Sequence, residues 1–155
     1  MHDLNVKVDL PERFDLAMSL EVAEHVHPES SDLFFSSLSG LSDAILFSAA
    51  FVGQPGPNHI NTCLHSFWAD KFVASGFELF DFFRPNFWTD DRVEPWYRQN
   101  AFLYVRPGHP LSRALKGPGY QPAPDTRFVD CVHPWFYIEL RKQIAPLTQR
   151  PASAE

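Results

Sequence analysis

Side chains that can transfer protons follow two apolar runs of this sequence. Glu21, Glu24 and His25 come directly after the first run, and His59 follows the second. An imidazole titrates near neutral pH, and a neighbouring carboxylate can orient it, so this set is suited to general acid–base chemistry. We expect His59 to be the first candidate base and His25 the second, with Glu21 as the carboxylate beside them.

The two apolar runs are typical of parallel strands that are covered on both faces. Residues 14–20 predict the first strand and residues 44–51 the second, with a helix through residues 34–41 between them. The crossover of such a unit is right-handed by default, and both strands then end at the same edge of the sheet. Ligands of open α/β sheets bind outside that edge, so the polar side chains are expected to converge there.

The remaining chain predicts further elements of the same α/β domain. An apolar helix face through residues 64–72 ends at Gly76, and residues 77–83 and 101–105 predict two more strands, the last one antiparallel. Prolines and glycines make residues 107–132 an irregular connection. Within residues 133–155, a helix and then a frayed tail that begins at Pro146 are expected to pack on the same domain.

Several polar and aromatic side chains are candidates for substrate binding: Gln54, Asn61, Trp68, Trp88, Trp96 and Tyr97. All of these except Gln54, and also Glu24, His25 and His59, have a structural alternative. Glu24 and His25 can cap a strand–helix turn, and His59 and Asn61 can pin their own loop. Trp68 lies on an apolar helix face that is typical of a core. The other aromatic residues can cover a sugar face or bury a dimer contact.

Composition and charge limit the kinds of partner and the cellular compartment that we expect. The 155 residues are 45% hydrophobic, and 13 basic against 19 acidic side chains give a net charge of -6, with no basic stripe for nucleic acid. The amino-terminal residues lack the apolar core of a secretory signal, and no stretch is long enough to span a bilayer. We therefore expect a cytoplasmic protein that contacts neither nucleic acid nor a membrane.

No metal site is expected from the spacing of the possible ligands. Histidines 25, 27, 59 and 65 and Glu21 are suitable ligand types, but they match no signature such as HExxH. Cys63 and Cys131 stand far apart without a CxxC motif, so we predict two reduced thiols.

Two segments resemble the class I, S-adenosylmethionine-dependent methyltransferases. Residues 13–26, RFDLAMSLEVAEHV, are similar to the fourth-strand motif of that family. Residues 53–61, GQPGPNHIN, with Phe67-Trp68 and Gly76-Phe77 after them, resemble a subgroup associated with polysaccharide assembly, and Arg84-Pro85, Trp88 and residues 96–100 continue the likeness. The resemblance extends over roughly residues 3–106.

The resemblance implies an α/β, Rossmann-like sheet equivalent to strands 4-5-7-6 of that family, within a partial methyltransferase-like domain at residues 1–106. It implies S-adenosylmethionine as cofactor, a hydroxylated small molecule or sugar as acceptor, and cofactor contacts at Asp3, Leu4, Ser19 and Glu21. The family's GxGxG turn is absent from the sequence. We therefore expect a truncated sheet whose free edge is covered in a homodimer or by a complementary chain.

Three accounts of function stay open from the sequence. The first is a methyltransferase-like protein whose cofactor site another polypeptide completes. The second is a repurposed enzyme that works without the cofactor, by His and Glu acid–base chemistry in the retained crevice. The third is a non-catalytic binding or scaffolding module that uses the tryptophan-rich segment.

Overall fold

The computed structural model describes residues 2–148 and the side chains of residues 2–142. The strands are β1 (Ala17–Leu20), β2 (Ala44–Ser48), β3 (Glu78–Phe80) and β4 (Phe102–Val105). The α-helices are α1 (Ser31–Leu41), α2 (His65–Ala74), α3 (Phe83–Phe87), α4 (Pro95–Asn100), α5 (Pro110–Lys116) and α6 (Pro134–Thr148). Short 3₁₀ turns occupy Ala23–His25, Pro28–Ser30 and Thr126–Val129.

The four strands form one mixed sheet in the order β1-β2-β4-β3. β1 and β2 are parallel, with Ala17 opposite Ile45, and α1 connects them. β4 is inserted antiparallel between β2 and β3, as the direct turnaround before it predicts. The prediction of an α/β fold is confirmed, and the sheet with its flanking helices is compatible with a Rossmann-like arrangement.

The larger hydrophobic core lies between one face of the sheet and the helices α1 and α2. Alternate strand residues, including Phe47 and Tyr104, point to this face because successive side chains of a strand alternate between faces. The Phe72 ring of α2 stacks on Tyr104 with centroids 4.0 Å apart. Trp68 packs against Phe34 and Phe47. These contacts fix both helices over the strands.

A smaller core covers part of the opposite face. Ala44, Phe80, Leu103 and Val105 pack there against Leu115 of α5. This face is uncovered at β1, where Met18 is 61% exposed. Within residues 2–148, β1 pairs with β2 alone, so its outer edge has no neighbouring strand.

The structure corrects the boundaries of the predicted elements. The strands are shorter than predicted: β1 begins at Ala17 instead of residue 14, and β2 ends at Ser48 instead of residue 51. Gly76 does end α2, with φ +86° and the Phe77 N–H donating to Phe72 O at 3.0 Å. The segment between β3 and β4 contains the two short helices α3 and α4.

The prediction that residues 107–132 are irregular is wrong for Pro110–Lys116, which form α5. Pro110 stands at the first helical position, where its missing N–H costs nothing, and the His109 ring accepts a hydrogen bond from the Leu111 N–H. Prolines and glycines thus flank this helix instead of interrupting it.

At the carboxyl end, α6 runs to Thr148, beyond the predicted start of the tail at Pro146. Its Phe136 side chain is buried. The rest of the predicted tail, residues 149–155, lies outside the described residues. No helix between residues 2 and 148 is both long and apolar enough to cross a membrane.

Candidate functional site

A crevice of about 240 Å³ opens where β1 and β2 end, at the edge at which the sequence predicts the site. Glu21 follows β1 directly, and the 3₁₀ turn Ala23–His25 comes next. The loop after β2 returns over this turn. The side chains that line the crevice with catalytic or binding potential are Glu21, Glu24, His25, Gln54, His59 and Trp96.

Glu21 is held at the end of β1 in a strained backbone conformation. Its φ of +51° lies in the left-handed region, which is uncommon for residues other than glycine. The Glu21 N–H donates to Ser48 O at 3.1 Å and to Ser48 Oγ at 3.0 Å, so the neighbouring strand fixes this conformation. The turn directs the carboxylate into the crevice.

Amide groups surround the Glu21 carboxylate. It accepts hydrogen bonds from Gln54 Nε2 at 3.0 Å and from Asn100 Nδ2 at 3.2 Å. Burial raises the pKa of Glu21 above its usual range, and the nearby Glu24 carboxylate adds to the rise, while the amide hydrogen bonds oppose it. Glu21 is therefore a more effective proton acceptor than an exposed glutamate.

Glu24 is the most deeply buried acid of the crevice. Its side chain is fully buried, and neither carboxylate oxygen has a hydrogen-bond partner. The nearest basic atom is His59 Nε2, 3.9 Å from Glu24 Oε1. The Glu24 carbonyl accepts the Ile60 and Asn61 N–H groups, each at 3.0 Å, which ties the loop to the 3₁₀ turn.

The two histidines meet across the mouth of the crevice. The rings of His25 and His59 lie edge to face with centroids 5.1 Å apart. Nδ1 of His25 lies 3.1 Å from Asn58 O, and Nδ1 of His59 lies 3.1 Å from Gln54 O. Since a carbonyl oxygen only accepts, each Nδ1 must carry the proton in these bonds. Each Nε2 then has a free lone pair in the neutral ring.

Gly56 makes room for the His59 ring. A Cβ added at this position would lie 2.2 Å from the ring atoms Cε1 and Nε2 of His59. Any larger residue here would displace the imidazole. Gly56, the second glycine of the GQPGPNHIN loop, is thus required because the His59 side chain approaches the Gly56 backbone closely. The sequence does not predict this requirement.

A buried amide network supports the crevice from below, and sequence reasoning missed it. Asn100 Nδ2 donates to Gln54 Oε1 at 2.8 Å as well as to Glu21, and Asn100 Oδ1 accepts from Gln99 Nε2 at 2.9 Å. Gln99 Oε1 in turn accepts the His133 N–H at 2.6 Å. Two amides directly before the apolar run of residues 101–105 are the signal that could have revealed this network.

His65 lies in the same network. Its Nε2 is 2.9 Å from Asn100 Oδ1, and its Nδ1 is 3.0 Å from Val129 O. Burial lowers the pKa of His65 below the usual histidine value, although both hydrogen bonds oppose the shift. His65 is buried away from the crevice mouth and supports the site rather than contacting a ligand.

A second cavity, of about 270 Å³, lies at the free edge of β1 against α1. Its walls are mainly apolar and include Leu4, Met18 and Phe34. Ser19 also lines it, with a buried hydroxyl that has no hydrogen-bond partner. The Asp3 carboxylate is exposed, accepts hydrogen bonds from Asn5, and does not line this cavity.

The remaining predicted residues lie apart from one another. Asn61 is buried and donates to Ser31 Oγ at 3.0 Å, so it pins the loop rather than facing a ligand. Trp68 is 2% exposed in the core, which excludes the predicted contact with substrate in this conformation. Trp88 lines a separate cavity beside Arg84, and Tyr97 packs edge to face on Trp96.

Of the predicted site residues, the crevice therefore unites Glu21, His25, Gln54, His59 and Trp96. No family model, curated protein or solved structure matches this chain.

Proposed function

We propose that this chain carries the acceptor-binding side of a class I methyltransferase-like enzyme whose acceptor is a hydroxylated small molecule or sugar. The observation that carries the proposal is the sheet order β1-β2-β4-β3 with β4 antiparallel. The methyltransferase resemblance implies this order, 4-5-7-6, from residues 3–106. A proton-accepting crevice at the ends of β1 and β2 supports it further.

The crevice residues suit a ligand that carries hydroxyl groups. Trp96 is half-buried at one wall and provides an apolar surface on which a sugar ring can stack. Gln54 Nε2 and the Glu21 carboxylate offer a donor and an acceptor beside it. The free Nε2 of His59 is the proposed acceptor of the hydroxyl proton, with His25 as the second candidate.

The described residues fit only part of S-adenosylmethionine. Apolar walls and the unpartnered Ser19 hydroxyl suit a flat ring such as adenine. No acidic side chain of residues 2–142 lines that cavity to hold the ribose hydroxyls, and Glu21 faces the other crevice. We therefore propose that another polypeptide completes the cofactor site, and we assign no catalytic step to the cofactor here.

The proposed partner would pair with the outer edge of β1, either as a second copy or as a complementary chain. An unpaired apolar edge readily accepts another strand. Sedimentation velocity of the purified chain separates the two sources, because a second copy gives a dimer and a complementary chain leaves a monomer. If a second copy pairs through this edge, Met18→Lys should weaken the dimer, whereas a dimer unaffected by this change uses another surface.

NMR tests the methyl-donor and methyl-acceptor parts of the proposal separately, through a methionine methyl signal and the histidine ring signals. The chain has two methionines, so a ¹³C-methyl label gives a readily assigned Met18 signal beside the apolar cavity. S-adenosylhomocysteine should shift this signal, and Ser19→Leu, which fills the cavity, should abolish the shift. Methyl glycosides should shift the His25 and His59 ring signals instead.

The second candidate, an enzyme that works without the cofactor, is favoured by the raised pKa of Glu21 beside two histidines. It predicts glycoside shifts at the imidazoles and no Met18 shift with the nucleoside at millimolar concentration. If sedimentation shows a dimer, in which a second copy completes the cofactor site, that result would contradict the methyltransferase proposal. A chain that binds neither ligand would contradict both candidates.

A further inference from the structure

The buried Glu24 carboxylate lacks a compensating group. Burial of a carboxylate without hydrogen bonds is strongly unfavourable, so such a group is normally paired or coordinates a metal. Glu21 lies beside it with a second carboxylate, and within the described part of the chain no lysine or arginine forms an ion pair with either acid. The crevice therefore has a deficit of positive charge.

Two imidazoles lie beside this carboxylate. One ligand atom from each of Glu24, His25 and His59 lies within 4.8 Å of the other two. The Nδ1–H groups of both histidines donate to main-chain carbonyls, which leaves Nε2 as the free atom on each ring. A histidine that ligates a metal almost always donates its other ring N–H in this way.

We propose that Glu24, His25 and His59 bind a divalent transition-metal ion of the Zn²⁺ type. Two imidazoles and one carboxylate form the ligand set of catalytic zinc sites, which leave further coordination positions open to water or substrate. Imidazole ligands favour Zn²⁺ and its transition-metal neighbours over Mg²⁺ or Ca²⁺. The open positions would face the crevice, beside Glu21 and Trp96.

The present separations are close to those that coordination requires. Ligand atoms on a tetrahedral zinc lie about 3.3 Å apart. His59 Nε2 and Glu24 Oε1 are already at 3.9 Å. His25 is exposed and His59 is half-buried, so their rings can close on an ion while the Glu24 main chain holds the loop through Ile60 and Asn61.

Metal binding would change the roles within the crevice. Histidines that coordinate an ion cannot accept a proton through the same nitrogen, so Glu21 would become the remaining base for a hydroxyl bound to the metal. The metal proposal stands on the three ligands alone. It can fail while the acceptor proposal holds, and the reverse is equally true.

Co²⁺ titration of the untagged full-length chain after dialysis against EDTA tests the proposal. We expect visible d–d absorption that saturates at one ion per chain, is displaced by Zn²⁺, and lacks a sulfur charge-transfer band. Glu24→Gln and His25→Ala should each weaken binding about 100-fold or more. Because His25 is exposed, its variant should fold even if a change at the buried Glu24 does not.

Two control variants, His27→Ala and Gly40→Ala, make the test specific. His27→Ala removes an exposed histidine two residues from the proposed ligand His25 and should leave binding unchanged. Gly56→Ala keeps every ligand but displaces the His59 ring, and should weaken binding about 10-fold or more, whereas Gly40→Ala, with open space around its Cβ, should not.

Stability provides a second readout. Without metal, Glu24→Gln should raise the melting temperature because it removes the uncompensated charge. Zn²⁺ should raise the melting temperature of the wild type and not that of this variant. Absence of Co²⁺ absorption, or binding that Glu24→Gln and His25→Ala leave unchanged, would overturn the proposal.

Discussion

The two cavities beside β1 are similar in volume and differ in the titratable side chains that line them. The cavity against α1 has apolar walls and one unpartnered hydroxyl, Ser19, whereas the crevice beyond Leu20 collects two carboxylates and two imidazoles. Phe34 and Leu38 of the first cavity also belong to the core, so their loss should mainly cost stability. Glu21, Gln54 and His59 of the crevice are held by hydrogen bonds, so their loss should mainly change ligand binding.

The largest effect is expected from the wall of the apolar cavity. Phe34 is 5% exposed and packs edge to face on Trp68, so Phe34→Ala should lower the free energy of unfolding by about 3 kcal/mol. Urea unfolding measures this loss. The exposed neighbour Leu33 is the control, because Leu33→Ala should stay within about 0.5 kcal/mol of the wild type. Equal losses for the two variants would mean that this wall is not part of the core.

The next effect concerns the amides below the crevice. Asn100→Ala removes hydrogen bonds to Glu21, Gln54, Gln99 and His65 and should cost about 2 kcal/mol in the free energy of unfolding. The same variant should also weaken any ligand that contacts the crevice. A variant with normal ligand binding would show that the network stabilises the fold without positioning Glu21.

His65 should make stability depend on pH below neutrality. Its pKa in the folded protein is lowered from 6.5, mainly by burial, so the unfolded chain binds more protons as the pH falls below about 6.5. Stability should therefore decrease from that pH downward, by at most about 1.4 kcal/mol per pH unit. Urea midpoints at several pH values measure the slope.

The control for this pH dependence is a second histidine. His65→Gln should flatten the slope near pH 6.5, and the same change at the exposed His27 should not. An unchanged slope in His65→Gln would assign the pH dependence to another group.

The smallest effect distinguishes two buried serines on neighbouring strands. Ser48 Oγ accepts the Glu21 N–H beside the crevice, so Ser48→Ala should cost about 1 kcal/mol. Ser19 Oγ has no partner in the apolar cavity, so Ser19→Ala should cost nothing or stabilise the protein slightly. Thermal unfolding of both variants in parallel measures the difference. A cost at Ser19 equal to that at Ser48 would contradict the contrast between the cavities.

Much of the fold follows from local patterns in the sequence. The apolar run at residues 44–51 predicts β2, which ends at Ser48, because a strand covered on both faces needs no polar alternation. The helix α5 was missed because its proline and glycines read as breakers, although Pro110 occupies a position that suits a helix start. The position of a proline within an element, rather than the number of prolines and glycines nearby, decides whether a helix forms.

Part of the site could also be predicted from the sequence. Convergence of Glu21, His25 and His59 follows from parallel strands that end at one edge. Asn100 supports Glu21 from a position 79 residues further along the chain. Glu24 is buried by segments that meet only in the folded protein. The local spacing of residues encodes neither contact. The spacing of Glu24, His25 and His59 matches no metal signature, so the sequence does not predict the ligand set that we propose.

The left-handed backbone at Glu21 has a consequence for how this chain would respond to selection. Glycine or asparagine adopts that conformation at lower cost, so Glu21→Gly should relieve strain of about 1 kcal/mol. The same change removes an acid that is buried beside another acid. Selection for heat resistance alone would therefore tend to replace Glu21, and variants that retain it under such selection would identify a requirement other than stability.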